Sequence, residues 1–206
     1  MKPWLAHYDS DVRQSLGPYP NKTLLDYLDR LARENAAATA LLFKGSAVSY
    51  GQLDRESTAF AAALWSLGVR QGDRVAVLLP NCPQFLVAEF GIWKIGAIVV
   101  AVNPTYSERE LEQVLDSTRA ETVVALTPFY KRLKAVQGRT GVKRIIATSI
   151  KEYLPTALRL LFTLFKEAKD GHRITVAGDD FWLQNLLTEY REASRPNVTV
   201  TPDDRA

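Results

Sequence analysis

Four apolar runs recur along the middle of this chain, each separated from the next by a span long enough for a helix. They are Val75–Leu79, Ala97–Val102, Thr122–Leu126 and Arg144–Thr148. Val75–Leu79 has no polar residue at all, the pattern of a strand buried on both faces rather than on one. The intervening spans carry helix signals. Pro83 suits a first helical position, with Asn81 or Cys82 as cap, and Phe85, Leu86, Ala88, Phe90 and Trp93 follow before Gly96. Ser107-Glu108-Arg109-Glu110 forms a capping box that opens a helix to about Ser117. A short basic helix is expected from Phe129 to Val136. Strands alternating with helices at this spacing predict right-handed βαβ units and an α/β fold with a doubly wound, mainly parallel sheet.

The flanks add a smaller layer. Residues 1–22, with Pro3, Gly17, Pro18 and Pro20 and no periodicity, read as an extended arm. Thr23 caps a helix through about Asn35, with Leu24, Leu25, Leu28 and Leu31 on one face. Ala40–Phe43 and Ala47–Ser49, split by Gly45-Ser46, predict a hairpin. Ser49 and Gln52 suit a second capping box, Leu53, Phe60, Ala61, Leu64 and Trp65 supply a buried stripe, and Gly68 closes that helix. A span of 206 residues is enough for one sizeable core, and residues 23–200 are assigned to a single α/β unit.

Residues 150–172 break the rhythm. Tyr153–Lys166 predicts an amphipathic helix with Leu154, Leu158, Leu161, Phe162 and Phe165 on one side, a face widened by Leu160 and Leu164. Arg159, Thr163 and Lys166 hold the other side. Such a face either lies in the interface plane of a membrane or packs on the domain. No run reaches the length that a spanning helix needs, and Met1–Ser10 lacks an apolar signal core.

Composition excludes several kinds of chemistry. At 47% hydrophobic and 24% charged residues the chain is a folded protein, and its net charge of +3 is interspersed, which gives no footprint for nucleic acid. The single Cys82 excludes an internal disulfide and suits a reducing, cytoplasmic setting. No Gly-x-Gly-x-x-Gly follows a strand, and no phosphate loop ends in Gly-Lys-Ser/Thr. His7 and His172 have no ligand-spaced neighbours, so no metal site is expected. Ser49 and Ser107 have capping roles, Glu108 and Glu110 complement a helix dipole, and Cys82 without a partner base reads as structural. What remains is the loop Asn103-Pro104-Thr105-Tyr106, placed by the strand order expected here at the C-terminal end of a central strand, where open α/β sheets bind ligands. Lys131, Arg132 and Lys134 follow the next strand and suit either a phosphate-holding edge or a solvated helix face.

Taken together, "VSYGQLDRES" and "GVRQGDRVAVLLPNCPQFLVAEFGIWKIGAIVVAVNPTYSERELEQVLDST" resemble the adenylate-forming acyl-CoA synthetases, and within them the long-chain fatty acid–CoA ligases. The likeness runs over about residues 23–150, and "YLPTALRLLFTLFKEAKDGH" is similar to a stretch of the fatty-acid members. "TPDDRA" (residues 201–206) resembles the lead-in to the family's Ser/Thr/Gly-rich signature loop. The resemblance implies an N-terminal piece of a larger enzyme, an incomplete domain inactive alone, with apolar surface that favours self-association. It implies ATP, Mg²⁺ and CoA for the parent, none held by this piece alone, with a fatty acid as substrate and membrane contact at the cytoplasmic face. It also implies that the loop Asn103–Tyr106, with Lys131 and Lys134 more loosely, approaches CoA, while the catalytic residues lie elsewhere. Two alternatives stay open: a ligase for another acid such as an aryl acid, and a stand-alone module that binds a nucleotide or a protein.

Overall fold

The four apolar runs fold as neighbouring strands of one parallel sheet, joined by a fifth that periodicity does not reveal. The computed structural model describes residues 3–13, 15 and 17–205. Chain order is helix α1 (Leu24–Glu34), hairpin strands β1 (Thr39–Phe43) and β2 (Ser46–Ser49), and helix α2 (Tyr50–Ser66). The sheet units follow as β3 (Arg74–Leu78), α3 (Pro83–Lys94), β4 (Ile98–Ala101), α4 (Glu108–Thr118), β5 (Thr122–Leu126), α5 (Thr127–Gln137) and β6 (Arg144–Thr148). Helix α6 (Thr156–Phe165), strand β7 (Phe181–Trp182) and helix α7 (Leu183–Glu189) complete the described elements. The strand order is β4-β3-β5-β6-β7, every pair parallel.

Side-chain alternation sends each strand into two separate cores. Val75 and Val77 of β3, Val124 of β5 and Ile146 of β6 pack with α2, α3 and α7. Ala76 and Leu78, Val123 and Ala125, and Ile145 and Ala147 point the other way, into a core closed by Leu111 and Leu115 of α4 and Leu133 and Val136 of α5. Both faces being covered explains why these strands read as continuous apolar runs.

Local expectations meet mixed outcomes. Thr23–Asp26 and Ser107–Glu110 close full capping boxes. Ser49 caps α2 through the Gln52 amide, but the Gln52 side chain donates instead to Glu56 Oε1 at 2.8 Å, so the second box is only half made. Gly68, at φ 87°, closes α2: its N–H donates to the Trp65 carbonyl and that of Val69 to the Leu64 carbonyl. The hairpin turn centres on Lys44-Gly45, both at positive φ, rather than on Gly45-Ser46. Leu24 faces solvent, while Leu25 and Leu28 carry the buried face of α1. On α3 the buried face is Val87, Ala88, Gly91 and Ile92, with Phe85 and Phe90 only half-buried. Within the N-terminal arm, Pro3–His7 forms a 3₁₀ turn. Helix α5 begins two residues earlier than expected, at Thr127, with Pro128 in its first turn.

One charge is buried between α2 and α3. Lys94, fully buried, donates to Asp54 Oδ1 at 2.6 Å, Ser57 Oγ at 2.9 Å and Thr58 Oγ1 at 2.8 Å. Burial pushes its pKa down, and the Asp54 carboxylate opposes that shift.

Candidate functional site

Strand order reverses between β3 and β5, and in open parallel sheets the crevice outside the strand C-termini at such a reversal is the natural ligand position. This corrects one expectation: β4, which feeds the loop Asn103–Tyr106, is an edge strand bonded only to β3 among the described residues. The chain doubles back after β3, so its next strand is laid outside rather than between.

The loop itself is fixed by its own sequence. Asn103 Oδ1 accepts from the Thr105 amide at 3.0 Å and the Thr105 hydroxyl at 2.9 Å, and the Tyr106 amide donates to the Asn103 carbonyl at 3.1 Å. This Asx turn runs straight into the Ser107 cap, where Glu110 Oε2 accepts from the Ser107 amide at 2.8 Å. Asn103 and Thr105 are exposed, whereas Pro104 and Tyr106 are half-buried and Tyr106 packs on the second core. The result is a stiff polar rim resting on an aromatic foot.

The basic residues of α5 part company. Arg132 Nη1 donates to the Tyr106 carbonyl at 2.6 Å and the Pro104 carbonyl at 3.3 Å, locking the loop to α5. Lys134 goes to the opposite end of the sheet. There it pairs at 2.9 Å with Asp180, whose other oxygen accepts from the Ile145 amide at 2.6 Å as β6 begins. Lys131 stays exposed, and the hydrogen bonds that reach the loop from α5 among the described residues are those of Arg132. Arg132, grouped with the lysines by sequence, is therefore the basic residue joined to Asn103–Tyr106. Two positions on a helix differ by only about 3 Å along the axis but by about 200° around it, so the long side chains of Arg132 and Lys134 leave α5 on opposite sides.

A second group at the strand C-termini escaped the sequence reading. Thr127, at the end of β5, meets His172 Nδ1 at 2.8 Å. Burial pushes the His172 pKa down, while the Asp170 and Glu167 carboxylates oppose that shift. After β6, Thr148 Oγ1 accepts from Gln184 Nε2 at 3.0 Å, and Gln84 Nε2 of α3 donates to the Ser149 carbonyl at 2.8 Å. Gln84 Oε1 and Ser149 Oγ are buried without a partner. Ser149, Lys151, Glu167, His172 and Gln184 line a cleft of about 490 Å³. These residues are scattered from 84 to 184, so only the fold gathers them. Among the described residues no three His, Cys, Asp or Glu side chains converge as metal ligands.

The predicted apolar helix also shifts. Leu154 lies outside α6, and Tyr153 belongs to a preceding 3₁₀ turn with its hydroxyl donated to Glu56. Leu158, Leu161 and Phe165 are exposed, and Phe162 turns back onto His172.

Comparison with known proteins places this geometry in context. The family model described as AMP-binding enzyme matches residues 28–206. A Bacillus subtilis protein named long-chain-fatty-acid–CoA ligase is 36% identical over 82% of this chain and 30% of its own length. A Haemophilus influenzae protein of the same name is 34% identical over 96% of this chain and 36% of its own. The chain thus spans about a third of the length of these relatives. The solved anthranilate CoA ligase AuaEII, in complex with anthranoyl-AMP, superposes with a TM-score of 0.68 at 20% identity, over 91% of this chain and 31% of that one, which shows the shared fold.

Proposed function

Since this chain belongs to the AMP-binding enzyme family, we propose that it serves in a fatty acid–CoA ligase, as the N-terminal α/β unit that walls the CoA side of the site. The carrying observation is the 36% identity to a named long-chain-fatty-acid–CoA ligase across most of the chain. In the proposed reaction a fatty-acid carboxylate attacks the α-phosphorus of ATP and pyrophosphate leaves, giving an acyl-adenylate. The CoA sulfur then attacks the acyl carbon, and AMP leaves as the thioester forms.

The residues of this chain bind and orient rather than carry that chemistry. The exposed polar atoms of Asn103 and Thr105 suit the polar groups of CoA. Arg132 holds the loop rigid, so little ordering is lost when a ligand meets it. Lys131, exposed at the start of α5 and in no ion pair among the described residues, suits a phosphate by long-range attraction. No described cluster fits Mg²⁺, and no step is assigned to this chain through it. The 206-residue chain alone is expected to give no ATP–pyrophosphate exchange.

A chimera tests the reading. In the Bacillus subtilis ligase the matching segment is replaced by residues 28–206, and acyl-CoA formation is measured with long-chain and aryl acids. Retained long-chain activity, with a raised KM for CoA on Asn103→Ala or Arg132→Gln, is the expected result. A folded chimera that accepts only aryl acids, or whose CoA dependence ignores both substitutions, overturns it.

A further inference from the structure

We propose that the N-terminal ends of β3, β5 and β6 form a binding site for a phosphate dianion, either the free ion or a monoester. Parallel strands begin at one end of a sheet, so Arg74, Thr122 and Arg144, which open these three neighbouring strands, lie together there. With Arg119, Asp73 and Glu121 they line a cleft of about 210 Å³. The loop Asn103–Tyr106 follows the C-terminal end of β4 and so belongs to the opposite end of the sheet.

Two of the three guanidinium groups have a structural duty. Arg74 Nε donates to the Thr118 carbonyl at 2.9 Å and its Nη1 to the Gly72 carbonyl at 3.3 Å, while Arg144 Nη1 donates to the Leu67 carbonyl. Thr118 and Leu67 end α4 and α2, so both cations close helix C-termini. A guanidinium has five N–H donors. These bonds use two on Arg74 and one on Arg144, and the others are left for a ligand.

Arg119 has no such duty. It is exposed, and it stands at φ 54° and ψ 38°, the left-handed position after α4 where glycine or asparagine is usual. Glycine would close the helix with less strain, so capping does not explain an arginine there.

Charge selects the ligand. Arg74, Arg119 and Arg144 make no ion pair among the described residues. Glu121 is matched by Lys143 at 2.8 Å. Asp73 is the unpaired acid of the cleft, and its Oδ2 accepts from the Arg70 amide at 2.8 Å. Three cations against one unpaired carboxylate leave an excess of about two positive charges, and a phosphate monoester carries about −1.5 to −2 at pH 7. Forked N–H donors also match phosphate oxygens in pairs. At about 210 Å³ the cleft is smaller than the roughly 300–1,000 Å³ of sites that enclose drug-sized molecules, which suits the ion itself and leaves an ester group outside. The inference rests on this geometry and is independent of the ligase reading.

Thermal melting of the 206-residue chain at neutral pH, with increasing inorganic phosphate and separately with methyl phosphate, tests it. A saturable rise in melting temperature is expected, with no such rise in sodium chloride of equal ionic strength. Saturation by inorganic phosphate alone assigns the site to the free ion, and saturation at lower concentration by methyl phosphate assigns it to an ester. Arg119→Gly should weaken binding by about tenfold or more, the loss of one charge-assisted hydrogen bond. The same variant should melt higher than the parent without phosphate, because glycine accepts the left-handed turn. Asp73→Asn keeps an acceptor for the Arg70 amide, removes the opposing charge and should tighten binding. Circular dichroism checks that both variants are folded. No saturable rise, an equal rise with chloride, or a phosphate response that neither substitution moves would each overturn the proposal.

Discussion

Cys82 shows how position in a fold sets the chemistry of a side chain. It caps α3, where an N-terminal dipole would favour a thiolate, yet it makes no side-chain cap bond and is only 7% exposed. Burial wins over the backbone amides of Phe85 and Gln84, and the thiol is pushed up from 9.0 to about 11. At pH 8 this lowers the thiolate fraction about a hundredfold. Iodoacetamide should label the folded chain about a hundred times more slowly than the urea-unfolded chain; equal rates would contradict it. The sign of the linkage follows. The folded state keeps its proton between pH 9 and 11 while the unfolded state loses it, so this contribution to stability is present below pH 9 and lost as pH rises through 11. Cys82→Ser should flatten that part of the pH–stability curve. Lys94 is the opposite case, a charge kept in the core by three side-chain oxygens. Lys94→Met leaves those acceptors without their donor and should cost about 3 kcal/mol in urea unfolding. A loss below about 1 kcal/mol would mean that water reaches Asp54 and replaces the ammonium.

Between elements, the contact of α2 with α3 depends on one missing methyl group. A Cβ on Gly91 would stand 2.7 Å from Phe60 Cδ1 and 3.0 Å from the Ser57 carbonyl, and Phe60 is fully buried. Alanine improves helix propensity by about 1 kcal/mol, but overpacking costs about 1–3 kcal/mol. Gly91→Ala should therefore lower the melting temperature, and Phe60→Leu in the same chain should recover part of the loss. A higher melting temperature for Gly91→Ala alone would show that the two helices separate without strain. The same contact explains why α3 turns Phe85 and Phe90 aside. A small face at Ala88 and Gly91 lets the backbones approach, and the aromatic rings flank the contact.

For the whole molecule, the open edge at β4 matters most. Its four residues pair only with β3 among the described residues, and Val99 and Val100 remain partly exposed on an apolar strand. Bare edges of this kind recruit other strands. Light scattering of the 206-residue chain should show mass rising with concentration, and Ala101→Lys should suppress the rise. An unchanged monomer mass at high concentration would rule out edge pairing.

The sequence alone determined the parallel, doubly wound sheet, because burial on both faces writes itself as continuous apolar runs and capping chemistry is local. Thr23, Ser107 and Gly68 each act on residues within a turn or two, so their roles were legible. Strand β7 was not, because two residues carry no period and Phe181–Trp182 becomes a strand only where the edge of β6 offers partners. The position of β4 at the edge, the parting of Arg132 from Lys134, and the meeting of Gln84 with Ser149 were also decided in three dimensions. Each depends on which groups distant in sequence come within hydrogen-bond reach, and chain order does not encode that reach until the helices have packed.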